Sequence, residues 1–170
     1  VIQKLNKKSE DIADGDYCFY RPESLEIWRK EAQECIRELE PAMYNLGDEL
    51  GFSYNAGYGR QDQKYFREFL KNQYKTLEKL NRAWQKDFKS FDEVDVNFCR
   101  SPKNFTAWFD HRRYMEKMYA DVLHFMRNEI KKLDPAAPVG CEGSMPGDIE
   151  LSMQDLEYWG PYQNNVYDEV

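Results

Sequence analysis

The chain has 170 residues, with 24 Lys+Arg against 31 Asp+Glu and a formal net charge of −7. That is material for one ordinary globular unit or a piece of a larger one, and 41% hydrophobic with 15% aromatic residues excludes a disordered chain. The acidic balance argues against nucleic acid or an anionic membrane surface as partner, and no apolar run is long enough to cross a bilayer as a helix. Residues 1–16 and the closing stretch Asn164 to Val170 read as the interior of a longer protein, so a segment of a larger chain is expected.

In chain order, Pro22-Glu23-Ser24 opens a helix with Ser24 as its N-cap. Leu25, Trp28, Ala32, Cys35, Ile36 and Leu39 then recur on one face, and Pro41 ends the helix. Residues 42–47 read as a strand, followed at once by Asp48 and Glu49. Gly51 to Gly59 has loop composition with aromatics. Residues 60–100 form a helical insertion. Tyr65, Phe66, Phe69 and Leu70 mark one helix, and Thr76 caps a second that holds Leu77, Leu80 and Trp84 on one side. Lys86 to Lys103 reads as an ordered loop anchored by Phe88, Phe91, Val94 and Phe98.

The longest helix runs from about Asn104 to Leu133, with Phe105, Trp108, Phe109, Met115, Val122 and Met126 fitting its period, and Asp134-Pro135 stops it. Trp28, Trp84 and Trp108 read as core. Residues 138–142 are a second strand ending at Glu142, Ser144 to Met153 a loop, and 156–162 a third strand. Cys18, Cys35, Cys99 and Cys141 lie far apart, without a CxxC pair or a Cys/His cluster, so no metal site and no cofactor is expected.

Strands that end in polar or aromatic residues and are joined by long helices suit an open doubly wound sheet or a (β/α)₈ barrel. In both, chemistry sits at the C-terminal ends of parallel strands. Gly57-Tyr58-Gly59 lacks the third Gly and the leading strand of a dinucleotide turn, and there is no P-loop. The expected fold is therefore α/β, a partial (β/α)₈ TIM-barrel segment rich in helix. At the end of the first strand, alternation lets only one of Asp48 and Glu49 face a barrel mouth. Its neighbour's charge and partial burial would raise its pKa, as a general acid near neutral pH requires. The competing reading is that both begin a loop and meet water. Tyr54, Tyr58, Trp159 and Tyr162 fall in strand-end loops, where rings stack on pyranose faces.

The stretch from Glu40 to Trp84 resembles the catalytic domain of the family forty-two β-galactosidases, within the large barrel clan of retaining glycoside hydrolases. The sharpest match is Thr76-Leu77-Glu78-Lys79-Leu80-Asn81-Arg82-Ala83-Trp84, preceded by Phe66-Arg67-Glu68-Phe69-Leu70 and Tyr74. The resemblance implies that 42–47, 138–142 and 156–162 are the fourth, fifth and sixth barrel strands, and that residues 1–170 are one segment of a larger catalytic barrel. It implies Glu49 as general acid/base, with Asp48 standing where the family usually has Asn, so that it accepts from a sugar hydroxyl but cannot donate. Tyr54, Glu142, Trp159 and Tyr162 join Asp48 as expected substrate contacts, Glu142 being alternatively a capped loop carboxylate. The nucleophile would end the seventh strand, beyond Val170, and the zinc-binding cysteine cluster of some members is missing. The implied partners are a carbohydrate substrate and the rest of the same barrel. Two other readings stand beside this glycoside hydrolase: a non-catalytic carbohydrate-binding relative, and a helical interaction domain.

Overall fold

The structure is a computed structural model and describes residues 20, 22–39, 41–48, 56–101, 103–143 and 147–160. The first helix, α1 (Pro22–Leu39), starts at its proline. A proline in the first helical position loses nothing, since its missing N–H would have no partner there; Ser24 thus lies inside the first turn and is not the cap. The side chains of Cys35 and Leu39 fall outside the described set.

After β1 (Tyr44–Asp48) come α2 (Asp62–Tyr74) and α3 (Leu77–Trp84). The Thr76 hydroxyl accepts from Lys79 N at 3.4 Å at the start of α3. Two 3₁₀ turns, Phe91–Glu93 and Val96–Arg100, lead into α4 (Phe105–Leu133). Then follow β2 (Val139–Glu142), α5 (Ile149–Met153) and β3 (Tyr158–Gly160). The segment containing α5 reads as loop in sequence. One helical turn forms there because the Asp148 carboxylate accepts from Leu151 N at 2.9 Å. The strands start later than 42, 138 and 156; on β1 the ladder opens where Tyr44 N donates to Pro138 O at 2.9 Å.

The three strands pair in parallel in the order β1-β2-β3, which removes the helical interaction domain from consideration. α4, about 43 Å long at 1.5 Å per residue, serves two cores. Its C-terminal half places Tyr119, Leu123, Met126 and Ile130 against the sheet residues Tyr44, Leu46, Val139 and Cys141, together with Trp28 and Ala32 of α1. Its N-terminal half packs Ala107, Tyr114, Met115 and Met118 against Phe66, Leu70, Leu80 and Trp84 of the insertion.

The first turns of α4 correct the expected stripe: Phe105, Trp108 and Phe109 are 68%, 37% and 48% exposed, so Trp108 is not core. The buried face instead runs through Ala107, Asp110, His111 and Tyr114. A stripe drawn through apolar residues misses it, because its centre is a carboxylate and an imidazole supplied with partners from α2, α3 and the turn at Gly57. Phe98 is likewise exposed, and Val94, Val96 and Cys99 anchor that loop.

Among the described residues, helices α1 and α4 cover one face of the sheet and the other is bare. Parallel sheets occur with both faces buried. Among the described residues no helix is long and apolar enough to cross a membrane.

Candidate active site at the strand ends

The C-terminal ends of the strands line up. Asp48 pairs with Glu142 and Glu142 with Gly160, one row across the rim of the sheet. On β1 the register slips: Asn45 pairs with Gly140 but Asp48 with Glu142, three steps against two. An extra residue resets the in–out alternation. Asp48, which strict alternation would put on the covered face with Tyr44 and Leu46, therefore comes out exposed on the bare face beside Glu142. The glycine at 160 leaves room there, for a Cβ would sit 3.5 Å from the Glu142 Cβ.

The turn after Glu142 is held from both sides. Gly143 N donates to Gly160 O at 2.8 Å, and Gly143 O accepts from Trp159 Nε1 at 2.9 Å. Trp159, expected as a substrate contact, is in register with the buried Cys141, on the face away from the Asp48–Glu142 row. Tyr158 takes the bare face in its stead, a residue the sequence pattern does not single out. Its ring crosses β2 at Gly140, where a Cβ would fall 2.6 Å from two ring atoms, and its hydroxyl donates to Tyr44 O at 3.0 Å. Burial, then the neighbouring Cys141 and Glu142, raise its phenol above the ordinary value.

Tyr58 is also corrected as a sugar platform. Its ring stacks on His111 at a 3.9 Å centroid distance, and Arg100 Cζ lies 3.9 Å from the same centroid. Two groups that close cannot share one face, so both faces of the ring are occupied. Glu49, Tyr54 and Tyr162 lie outside the described residues.

Among the described residues no three His, Cys, Asp or Glu side chains gather as metal ligands would. Cys99 and Cys141 are buried thiols whose pKa burial pushes up, the latter to about 11, which makes them poor nucleophiles. A cavity of about 510 Å³ lined by Trp84, Lys86, Phe98, Lys103 and Phe105 sits at the tip of the insertion. It is far from the row: Phe105 is about 21 Å along α4 from Tyr119, where that helix begins to cover the sheet.

The chain is 26% identical over 157 residues to the β-galactosidase BglY of Alicyclobacillus acidocaldarius, covering 85% of this chain and 21% of that protein. It is 31% identical over 190 residues to the β-galactosidase LacZ of Lactobacillus acidophilus, covering 94% of this chain and 28% of the relative. It thus spans roughly a quarter of the length of these curated relatives. In fold it resembles the crystal structure of the cold-adapted β-galactosidase of Rahnella sp. R3, with a TM-score of 0.73 at 16% identity over 86% of this chain and 23% of that one. The architecture is a partial (β/α)₈ barrel, and the bare face of the sheet is the barrel's interior. Residues 8–166 match the profile of the glycoside hydrolase 42 family, described as β-galactosidase, and with that match over nearly all its length the chain belongs to this family.

Proposed function

We propose that this chain supplies the acid/base half of a retaining β-galactosidase-type active site. One observation carries the reading: the row Asp48–Glu142–Gly160 at the C-terminal ends of parallel strands, on the barrel's interior face; the register slip before Asp48 breaks strict alternation at this strand end, so Asp48 on that face does not exclude Glu49, the next residue in the chain. In double displacement, the Glu49 carboxylic acid gives its proton to the glycosidic oxygen as the bond to the anomeric carbon breaks. A second carboxylate, from a strand outside this chain and roughly 5 Å away, forms the new bond to that carbon. Water then displaces it, losing a proton to Glu49. Asp48 accepts from a sugar hydroxyl, Glu142 contacts the same ring or its neighbour, and Tyr54 and Tyr162 are assigned the stacking role that Trp159 and Tyr58 cannot take. The substrate is a β-galactoside, the class for which the relatives are named.

The test is Glu49→Gln in the enzyme expressed from its complete reading frame. Loss of general acid catalysis costs about 10²- to 10⁴-fold, so kcat/KM on lactose is expected to fall by that much while the melting temperature stays put. Unchanged turnover of lactose would remove the assignment.

A further inference from the structure

The insertion carries the opposite charge balance from the rest of the chain. Residues 60–117, which take in the insertion and the N-terminal half of α4, hold 14 Lys+Arg against 9 Asp+Glu, while the remaining residues hold 10 against 22. Two of those nine acids, Asp62 and Asp110, are buried and accept hydrogen bonds from Tyr114 and Trp84. The outer surface of the insertion is therefore basic on an acidic chain, a separation that favours anionic partners.

The cavity of about 510 Å³ at the tip gathers this charge beside exposed rings. Lys86 and Lys103 line it with no carboxylate among the described residues, and neither lysine has an ion-pair partner among them. Its walls are fixed before any ligand arrives. Asn104 donates to Trp84 O at 2.9 Å and accepts from Ala107 N at 3.0 Å, which joins the end of α3 to the start of α4. Lys86 N donates to Asn81 O at 2.9 Å, and the Lys86 ammonium lies 5.7 Å from the Phe98 ring centroid. Phe105 lines the same cavity, and its exposed ring stacks on Trp108 at a centroid distance of 5.5 Å.

Gln85 is a separate sign of use. It ends α3 in the left-handed region, at φ 53° and ψ 49°, where glycine fits without strain and other residues do not. What a glycine would lack is the side-chain amide, and Gln85 lines the cavity. Strain of this kind persists where the side chain has a task.

We propose that the tip of the insertion is a second carbohydrate site, which takes a sulfated sugar unit of a polysaccharide and does no chemistry on it. The pyranose lies against the Phe105 ring, the Gln85 amide meets its hydroxyls, and Lys86 and Lys103 hold the sulfate ester. Lysine ammonium groups act as point charges, whereas a planar carboxylate is matched best by the arginine fork. No arginine lines the cavity among the described residues. A tetrahedral sulfate, with oxygens pointing several ways, can meet two separate ammonium groups.

The test is surface plasmon resonance on the immobilised full-length enzyme, with a sulfated galactan oligosaccharide and its desulfated counterpart as probes. Desulfation is expected to weaken binding about tenfold, the loss of a charge-assisted contact. The double variant Lys86→Ala/Lys103→Ala is expected to bring the sulfated probe down to the affinity of the desulfated one. Gln85→Gly is expected to weaken both probes about fivefold, the loss of a hydrogen bond. Its melting temperature does not fall, because the left-handed backbone is relieved, so the loss belongs to binding and not to folding. Absence of binding, equal affinity for the two probes, or a lysine-pair variant that binds as before would overturn the proposal. So would a DNA oligonucleotide of matching charge that competes as well as the sulfated galactan, since the face would then read charge alone. Sedimentation showing that Lys86→Ala/Lys103→Ala splits an oligomer, with the sulfated probe unaffected, would give the face to contacts between copies instead. Because binding at the tip is what is measured, the result does not depend on the assignment of Glu49.

Discussion

Asp110 is 2% exposed and accepts three side-chain hydrogen bonds: from Tyr74 Oη at 2.6 Å, Gln73 Nε2 at 2.7 Å and Trp84 Nε1 at 2.8 Å. One carboxylate thus joins α2, α3 and α4 at the centre of the insertion. Burial, then the bond to Asp110, pushes the Tyr74 phenol well above its ordinary range, so it stays a donor at any pH the fold survives. Removing the acceptor strands a phenol and an indole N–H in an apolar core, each costing about 1–3 kcal/mol. Asp110→Ala is expected to lose about 4 kcal/mol, and Asp110→Asn, which keeps one oxygen, about half of that. Urea unfolding followed by tryptophan fluorescence reports both, because Trp84 is a member of the network.

Among the elements, the sheet depends on a cross-tie. Tyr158 of β3 reaches over β2 to bond Tyr44 O on β1, and this is possible only because residue 140 has no side chain: a Cβ there would lie 2.2 Å from Tyr158 O and 2.6 Å from its ring. Overpacking of this kind costs about 1–3 kcal/mol. Gly140→Ala is expected to fall at the upper end and to act locally, speeding hydrogen exchange of the β3 amides while leaving the insertion protected. Uniform loss of protection across α2, α3 and β3 would show that the two cores do not separate. The joint between them is α4 itself, whose start is capped by Asn104. That side chain accepts from Ala107 N at 3.0 Å and donates to Trp84 O at 2.9 Å, tying the end of α3 to the first turn of α4.

At the scale of the whole molecule, acid acts in two windows. His111 has a folded pKa of about 4, below its ordinary 6.5, so the native state favours the neutral ring. Its contribution is complete above pH 6.5 and is lost as the pH falls toward 4. Glu157 differs. Burial pushes its carboxyl up, but hydrogen bonds from Arg127 at 2.7 Å, Lys131 at 3.0 Å and Val139 N at 3.0 Å outweigh this and hold it at about 2, below the ordinary 4.5. This contribution, which clamps the start of β3 to β2 and α4, is complete above pH 4.5 and is lost as the pH falls toward 2. Melting temperatures measured from pH 7.5 to 3 are expected to decline in two stages, His111→Gln flattening the first and Glu157→Gln the second. A single decline confined below pH 4.5 would show that His111 is not held neutral.

Residue order alone located the three strands to within two residues of their starts, the Thr76 cap and the stop at Asp134-Pro135. Each of these rests on forces that act within one or two turns of chain: alternation, helical period, capping and the stiffness of proline. The family motif from Thr76 to Trp84 was legible for the same reason. What order could not decide is where distant groups arrive. Asp110 and His111 are core because donors and a carbonyl from the insertion reach them, and that rotates the start of α4 away from its apolar stripe. Asp48 joins Glu142 because one strand holds an extra residue that its neighbour lacks. Tyr58 and Trp159 have rings fit for a sugar, yet Arg100 and His111 cover one and the Gly143 carbonyl holds the other. Burial of a polar group is favourable only when its partner is brought to it, and only the tertiary fold brings it.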